Sequence, residues 1–490
     1  MNMRTFPGWI AKFFLAVFCL YLLGCSATDV SAREKAPDEI EPIPTIAEAI
    51  APEACNYLAT GGNTIDSLWT ILSDNGDGTI SADWAQNDTD CYAWNAFVAL
   101  NWPSVGQSNS GNSDAQPDSS QTIGDAGFVV WQRWKNTDDV FLPNGVAPAG
   151  WDPYIGPPEA VVEQAQEGGL CVAADCSSDP FHDIRLIQQA SGLVFKSNES
   201  LDGTPIRYEI EQNESTFDFI VDRGIYSING QEALAASCPQ PTEWPPLDSD
   251  RCASFPRNSV ETKASWLWVP ADSSQLDEIK NLYITAIGYY QLYDNNGDPI
   301  LDGNGDPTYE VGLVALTGLH VTTKALPDWV WTTFENKYNY QYTQSTIEVP
   351  IPPETELIND EYQTWLAAQG TPNASKYANY LLVGTQIEFD GPPDIQGGEL
   401  LANSQIESHF QFASSCITCH AFSSVTERTD LPLQYSFVDS RGGNLTYFVG
   451  SIPDEVKADI ISKGYRDLDY VWSLRLAKRQ KEAVISDLAD

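Results

Sequence analysis

Cys416, Cys419 and His420 stand in the run Ser415-Cys416-Ile417-Thr418-Cys419-His420, a Cys-x-x-Cys-His spacing. On one helical turn the two thiols share a side and the imidazole that follows falls beneath the same group. Such a set matches c-type haem attachment: the thiols add to the two vinyl groups on one porphyrin edge and the His comes under the iron. A zinc site or a redox dithiol would use overlapping residues. Zinc calls for a second Cys-x-x-Cys, which the sequence lacks, and a dithiol does not need the His. The motif therefore reads as one covalent haem c, held by Cys416 and Cys419, with His420 as iron ligand.

The second iron ligand is constrained by an absence. The two Met residues are Met1 and Met3, both within the N-terminal leader, so the mature chain cannot build a His/Met site. Imidazole could come from His182, His320 or His409. His409 lies seven residues before Cys416, on what the pattern reads as the same helix, which would put it along the haem edge. His182 opens a loop in Pro180-Phe181-His182-Asp183, where a surface His is the plain reading. His320 ends the apolar run Val311–Leu319, and is the preferred distal ligand or distal-pocket group. A satisfied core His, an open iron position, or a rarer ligand such as Lys or Tyr are the alternatives.

Compartment follows from the leader and the cysteines. Arg4 and Lys12 flank the start of a short apolar run, Phe13–Leu23, which resembles an export signal and is too short to span a bilayer comfortably. It ends in Leu22-Leu23-Gly24-Cys25, similar to a bacterial lipobox in which Cys25 would be acylated; Ser26 after it implies outer-membrane sorting. Of ten Cys, six remain after the leader, lipobox and haem motif are set aside. An even remainder in an exported chain implies disulfides, and the sequence-local choice is 55–91, 171–176 and 238–252. The formal charge of −42 repels phosphate backbones and excludes nucleic acid as a partner. It suits a solvated surface or a dock for a basic redox protein whose identity the sequence does not give.

These residues need elements to hold them. The chain divides into a signal peptide (1–24), a tether rich in Ala, Pro and acid (25–52), a β-rich, Trp-rich body (53–394) and a small helical haem module (395–490), with the boundary where Gly and Pro cluster at Gly391–Gly397. The fold class expected is α+β. Thr216–Val221, Leu282–Tyr290 and Tyr309–Thr323 read as strands; Asp90–Leu100, Leu400–His420 and Tyr465–Leu488 read as helices; Gly106–Thr122 reads as a loop. Asp/Asn/Gly stretches at Ser73–Ile80, Asp294–Pro299 and Asp302–Pro307 lack the ligand pattern of a calcium loop and read as turns.

Trp94-Asn95-Ala96-Phe97-Val98-Ala99-Leu100-Asn101-Trp102-Pro103, Gly318-Leu319-His320, Trp331-Thr332-Thr333-Phe334-Glu335-Asn336, Val471-Trp472-Ser473-Leu474 and the haem motif together resemble bacterial exported cytochrome c family proteins. The resemblance implies haem binding and electron transfer, and no substrate. In that family a His commonly follows Phe-Glu, where this chain has Asn336; the departure shifts the distal role toward His320. The leading function is one-electron transfer in the bacterial envelope. The alternative is a haem enzyme of peroxidase or oxygenase type, its distal pocket formed by the β-rich body, with Lys263, Glu335 and Asn336 as polar residues in Trp-rich segments. No catalytic triad, phosphate loop or dinucleotide fingerprint is evident.

Overall fold

The computed structural model describes residues 82–105, 115–151, 156–171, 179–185, 194–196, 201–294, 298–389, 399–435 and 449–480, together with Cys55, Ile65, Trp69, Leu72 and Cys176. The leader, Cys25, the tether, the Ser73–Ile80 turn and the Gly391–Gly397 boundary lie outside the described residues. Glu48–Asp490 is one compact unit, and its fold is α+β. Among the described residues no helix is long and apolar enough to cross a membrane.

An eight-stranded sheet organises the chain. Its strands are β1 (Lys135–Asn136), β2 (Phe181–Asp183), β3 (Arg207–Gln212), β4 (Val260–Val269), β5 (Thr285–Gln291), β6 (Tyr309–Thr323), β7 (Val330–Asn336) and β8 (Tyr380–Gln386). The main path runs β8-β7-β6-β4-β3-β1. β6 is long enough to fork the sheet: along one edge it pairs with β4 over Leu313–Thr323, and along the other first with β5 and then with β7. All of these pairings are antiparallel, and β2 adds to β5 in parallel. Val, Thr, Leu and Trp dominate the central strands, as a half-buried pleated surface favours.

One sheet face packs on an apolar cluster built around a buried helix. Helix α1 (Thr89–Leu100) is buried at every position from Cys91 to Leu100, because it sits between the sheet and the helix Pro353–Ala367 instead of on the surface. Trp94 stacks on Tyr362 at 4.9 Å, and Phe97 stacks on Phe334 of β7 at 4.4 Å.

Three differences from the sequence reading have physical causes. Thr216–Val221 is not a strand but part of the helix Glu214–Asp222: Asn213 caps it by accepting from the Thr216 N–H at 3.1 Å, which outweighs the β-branched composition. His182 is not a surface loop residue; it lies on β2, 3% exposed. Leu400–His420 and Tyr465–Leu488 are not continuous helices. The described parts are turns with short helices at Gln411–Ala413, Cys416–His420 and Trp472–Leu476, because their polar side chains bond sideways into the sheet. Other elements agree with the sequence: β6 spans Tyr309–Thr323, α1 covers Asp90–Leu100, and the disulfides are Cys55–Cys91, Cys171–Cys176 and Cys238–Cys252, while β5 begins at Thr285 because Leu282 ends the helix Leu276–Leu282. The described parts of the two later Asp/Asn/Gly stretches are turns, with Asp294 and Asp302 carboxylates accepting from their own backbone at Asp298 and Asp306.

Gly318 lets the C-terminal cover approach the sheet. A Cβ there would stand 2.6 Å from Asn403 Nδ2 and 3.0 Å from Ser265 Oγ. Gly318→Ala should cost about 1–3 kcal/mol by overpacking, measured by urea denaturation; an unchanged midpoint would show that the cover can give way.

Candidate functional site

Register, not sequence proximity, assembles the site. Across β4, β6 and β7 the partners Lys263, His320 and Thr333 form one row, flanked by Glu261, Thr322 and Trp331 on one side and by Ser265, Gly318 and Glu335 on the other. Residues two apart on a strand share a face, so these nine positions project together, away from α1. Segment 401–420 and Ser473 cover them. Asn403 Nδ2 donates to Thr333 Oγ1 at 2.9 Å, Ser404 Oγ donates to Glu335, and Ser473 Oγ donates to Glu261 at 2.6 Å. Glu407 comes within 3.5 Å of His320 Nε2.

Onto this cover is set the helix Cys416–His420. Gln386 at the end of β8 accepts from the Ile417 N–H at 3.3 Å, Thr418 Oγ1 donates to the Gly450 carbonyl, and Trp472 Nε1 donates to the Cys419 carbonyl at 3.0 Å. Cys416 Sγ faces the Leu401 carbonyl at 3.6 Å. Unlike the three disulfide pairs, Cys416 and Cys419 are free thiols.

His420 is fixed by two contacts. Its ring lies 4.3 Å from the Trp331 ring, and its Nδ1 is 2.8 Å from the Tyr470 carbonyl. A carbonyl only accepts, so Nδ1 carries the proton and Nε2 keeps its lone pair for a metal. Burial drives the His420 pKa down to about 3, so the ring is neutral.

The Tyr470 carbonyl is itself held in place. Asp469 and Tyr470 take left-handed φ of 50° and 67°, unusual for non-glycine residues. Lys324 Nζ and Arg251 Nη1 bind Asp469 Oδ1 at 2.5 and 2.7 Å, and the Phe255 N–H donates to Oδ2 at 2.7 Å. Lys324 and Asp469 are both fully buried, so removing one partner would strand the other charge.

This set can do some chemistries and not others. Burial pushes the Cys419 thiol up to about 12 and Cys416 well above its ordinary value, the reverse of the lowered thiol pKa that a redox dithiol uses. Among the described residues no third Cys, His or carboxylate converges with these thiols as zinc would need. Two neutral thiols and an imidazole with a free Nε2, on one turn, suit a porphyrin held by thioether bonds.

The sequence-predicted residues divide clearly. Cys416, Cys419 and His420 come together, and His320 joins them on the same sheet face with Lys263 and Glu335. His182 lies on the opposite face, and His409 is exposed on a turn instead of sharing the Cys416 helix. Asn336 points away from the site and donates to the Leu282 carbonyl at 3.0 Å. Glu407, Tyr470 and Asn403 carried no signal in the sequence, because their roles depend on which strand they meet. No protein-family model, curated protein or solved structure matches the chain.

Burial also raises Glu335 to about 7, although Ser404 and Asn339 donate to it. A carboxyl that binds its proton more tightly folded than unfolded stabilises the fold at low pH and loses that contribution as pH rises from about 4.5 through about 7. Stability should therefore fall by about 1–3 kcal/mol from this residue between pH 5 and pH 7.5. Comparing urea midpoints of the native chain and Glu335→Gln at both values checks it; parallel pH slopes would mean that Glu335 does not titrate in this window.

Proposed function

We propose that Cys416 and Cys419 hold one haem c covalently, with His420 as iron ligand, and that the protein carries single electrons in the bacterial envelope. The observation that carries this reading is the Tyr470 carbonyl on His420 Nδ1, which leaves Nε2 as the donor beside two free thiols. When bound, the haem supplies a one-electron iron couple. The chain's part is to orient the imidazole through Tyr470, to keep water away with Trp331 and Trp472, and to offer a distal group. His320 is the residue proposed for that group: it shares the sheet face beneath the motif, and its Nε2 stands 3.5 Å from the Glu407 carboxylate. Lys263, its cross-strand neighbour, is the rival donor.

A second reading, a haem enzyme of peroxidase or oxygenase type, is favoured by one observation: His320, Glu407 and Lys263 form an acid–base group next to the motif. Location belongs to the proposal as well. Cys25, in its lipobox-like setting, would anchor the chain by lipid, on the outer membrane facing the periplasm or exterior.

Replacing both Cys416 and Cys419 with Ala should abolish covalent haem staining of the denatured protein; staining that persists refutes the attachment. With no Met in the mature chain, the ferric spectrum should lack the Met-to-iron charge-transfer band. If the iron is low-spin, His320→Ala should turn it high-spin and open it to cyanide, and Lys263→Ala should not. A native high-spin iron would favour the enzyme reading, and a low-spin spectrum unmoved by His320→Ala would remove His320 from the site. Cys25→Ser should release the exported protein from the membrane fraction; tight retention would mean another anchor.

A further inference from the structure

The other face of the sheet carries a second cluster. Alternation along β3 sends Arg207, Glu209 and Glu211 to the side opposite the Cys416–His420 cover. They are 8, 1 and 7% exposed, and each keeps a buried polar atom without a hydrogen-bond partner: Arg207 Nε, Glu209 Oε2 and Glu211 Oε2. Each such atom costs about 1–3 kcal/mol unless a partner reaches it.

Arg207 and Glu211 line a cleft of about 1210 Å³, larger than a single small metabolite fills. Glu209 stands behind it and orients His182, which also lines the cleft. The His182 Nε2 accepts from the Gln132 amide at 3.1 Å, so its Nδ1–H donates to Glu209 at 2.7 Å, and the Trp266 indole donates to the same oxygen at 2.7 Å.

The chemistry of the wall selects a ligand class. Four carboxyl groups face six Lys and Arg side chains, so neither sign dominates, although the whole chain carries −42. A phosphate-bearing ligand would need cations in clear excess. A divalent cation would need converging carboxylates, and among the described residues the single group of potential ligand atoms that converges is the disulfide pair Cys171 and Cys176 with Asp179. Eight of the 29 lining residues are aromatic, against 11% in the chain. Tyr293, at the mouth, is 55% exposed, and the Arg207 guanidinium lies 3.2 Å over the Tyr290 ring.

A hydroxyl group both donates and accepts, so a wall that mixes carboxyl, guanidinium and amide groups with aromatic faces suits an uncharged ligand rich in hydroxyls. We propose that this cleft binds a neutral oligosaccharide.

The test is titration of the full mature protein with maltotetraose, cellotetraose, mannotetraose and xylotetraose, followed by calorimetry and tryptophan fluorescence. At least one should bind saturably, and Glu211→Gln and Tyr293→Ala should each weaken that binding by about tenfold or more. Tyr293 is exposed enough that its removal should leave the circular dichroism and melting temperature unchanged, so it keeps the test decisive if Glu211→Gln does not fold. Three results would overturn the proposal: no saturable binding of any of the four sugars at about 10 mM, binding untouched by both variants, or a calcium response abolished by Glu211→Gln in place of a sugar response.

Discussion

The pleat of β3, β4, β6 and β7 fixes what each part of the molecule can be. Side chains on these strands must alternate between two faces, and the strands are pinned in register by α1 packing on Phe334 from one side and by Asn403 bonding Thr333 and the Phe334 carbonyl from the other. A slip of one residue would send Lys263, His320 and Trp331 to the apolar core and bring Phe334 to the polar cover. The register shifts between Leu316 and Gly318 and between Thr333 and Phe334 are local, and each lies beside a position that the cover contacts.

From that constraint the polar content of the sheet follows. The face under segment 401–420 accepts Glu335 because Ser404 and Asn339 donate to it, and Glu407 brings a carboxylate toward His320. Buried polar groups are tolerated where partners are supplied from outside the sheet. The opposite face is less complete along β3, where Arg207, Glu209 and Glu211 each keep an unpaired buried atom and Arg207 and Glu211 line the cleft. One sheet thus serves two unlike chemical surfaces, and the strands that separate them also join them.

Much of this was legible in the sequence, for reasons that can be named. The long β6 strand and the α1 helix showed themselves by composition and period, and the six body cysteines paired with their nearest neighbours in the chain. Cys416, Cys419 and His420 were legible because one helical turn brings them together without help from the rest of the fold. Glu407 and Tyr470 were not, since a carboxylate against His320 and a carbonyl against His420 exist only after distant segments meet. Thr216–Val221 misled because β-branched residues say little when an Asn stands at the cap. The C-terminal segment misled because its apolar spacing imitates a helix, while Asn403, Ser404 and Ser473 spend their hydrogen bonds on the sheet.

The buried cluster of Arg251, Lys324 and Asp469 has a bearing on the order of folding. Arg251 and Asp469 are 218 residues apart in the chain, and Lys324 and Asp469 are 145 apart. Contacts of such separation carry a large loop-closure cost and form late. Until Asp469 reaches the two cations, the left-handed turn at Asp469 and Tyr470 has nothing to hold it, and His420 has no fixed acceptor. Segments 401–435 and 449–480 should therefore settle late onto the sheet, in a movement that buries the Asp469 charge between two cations.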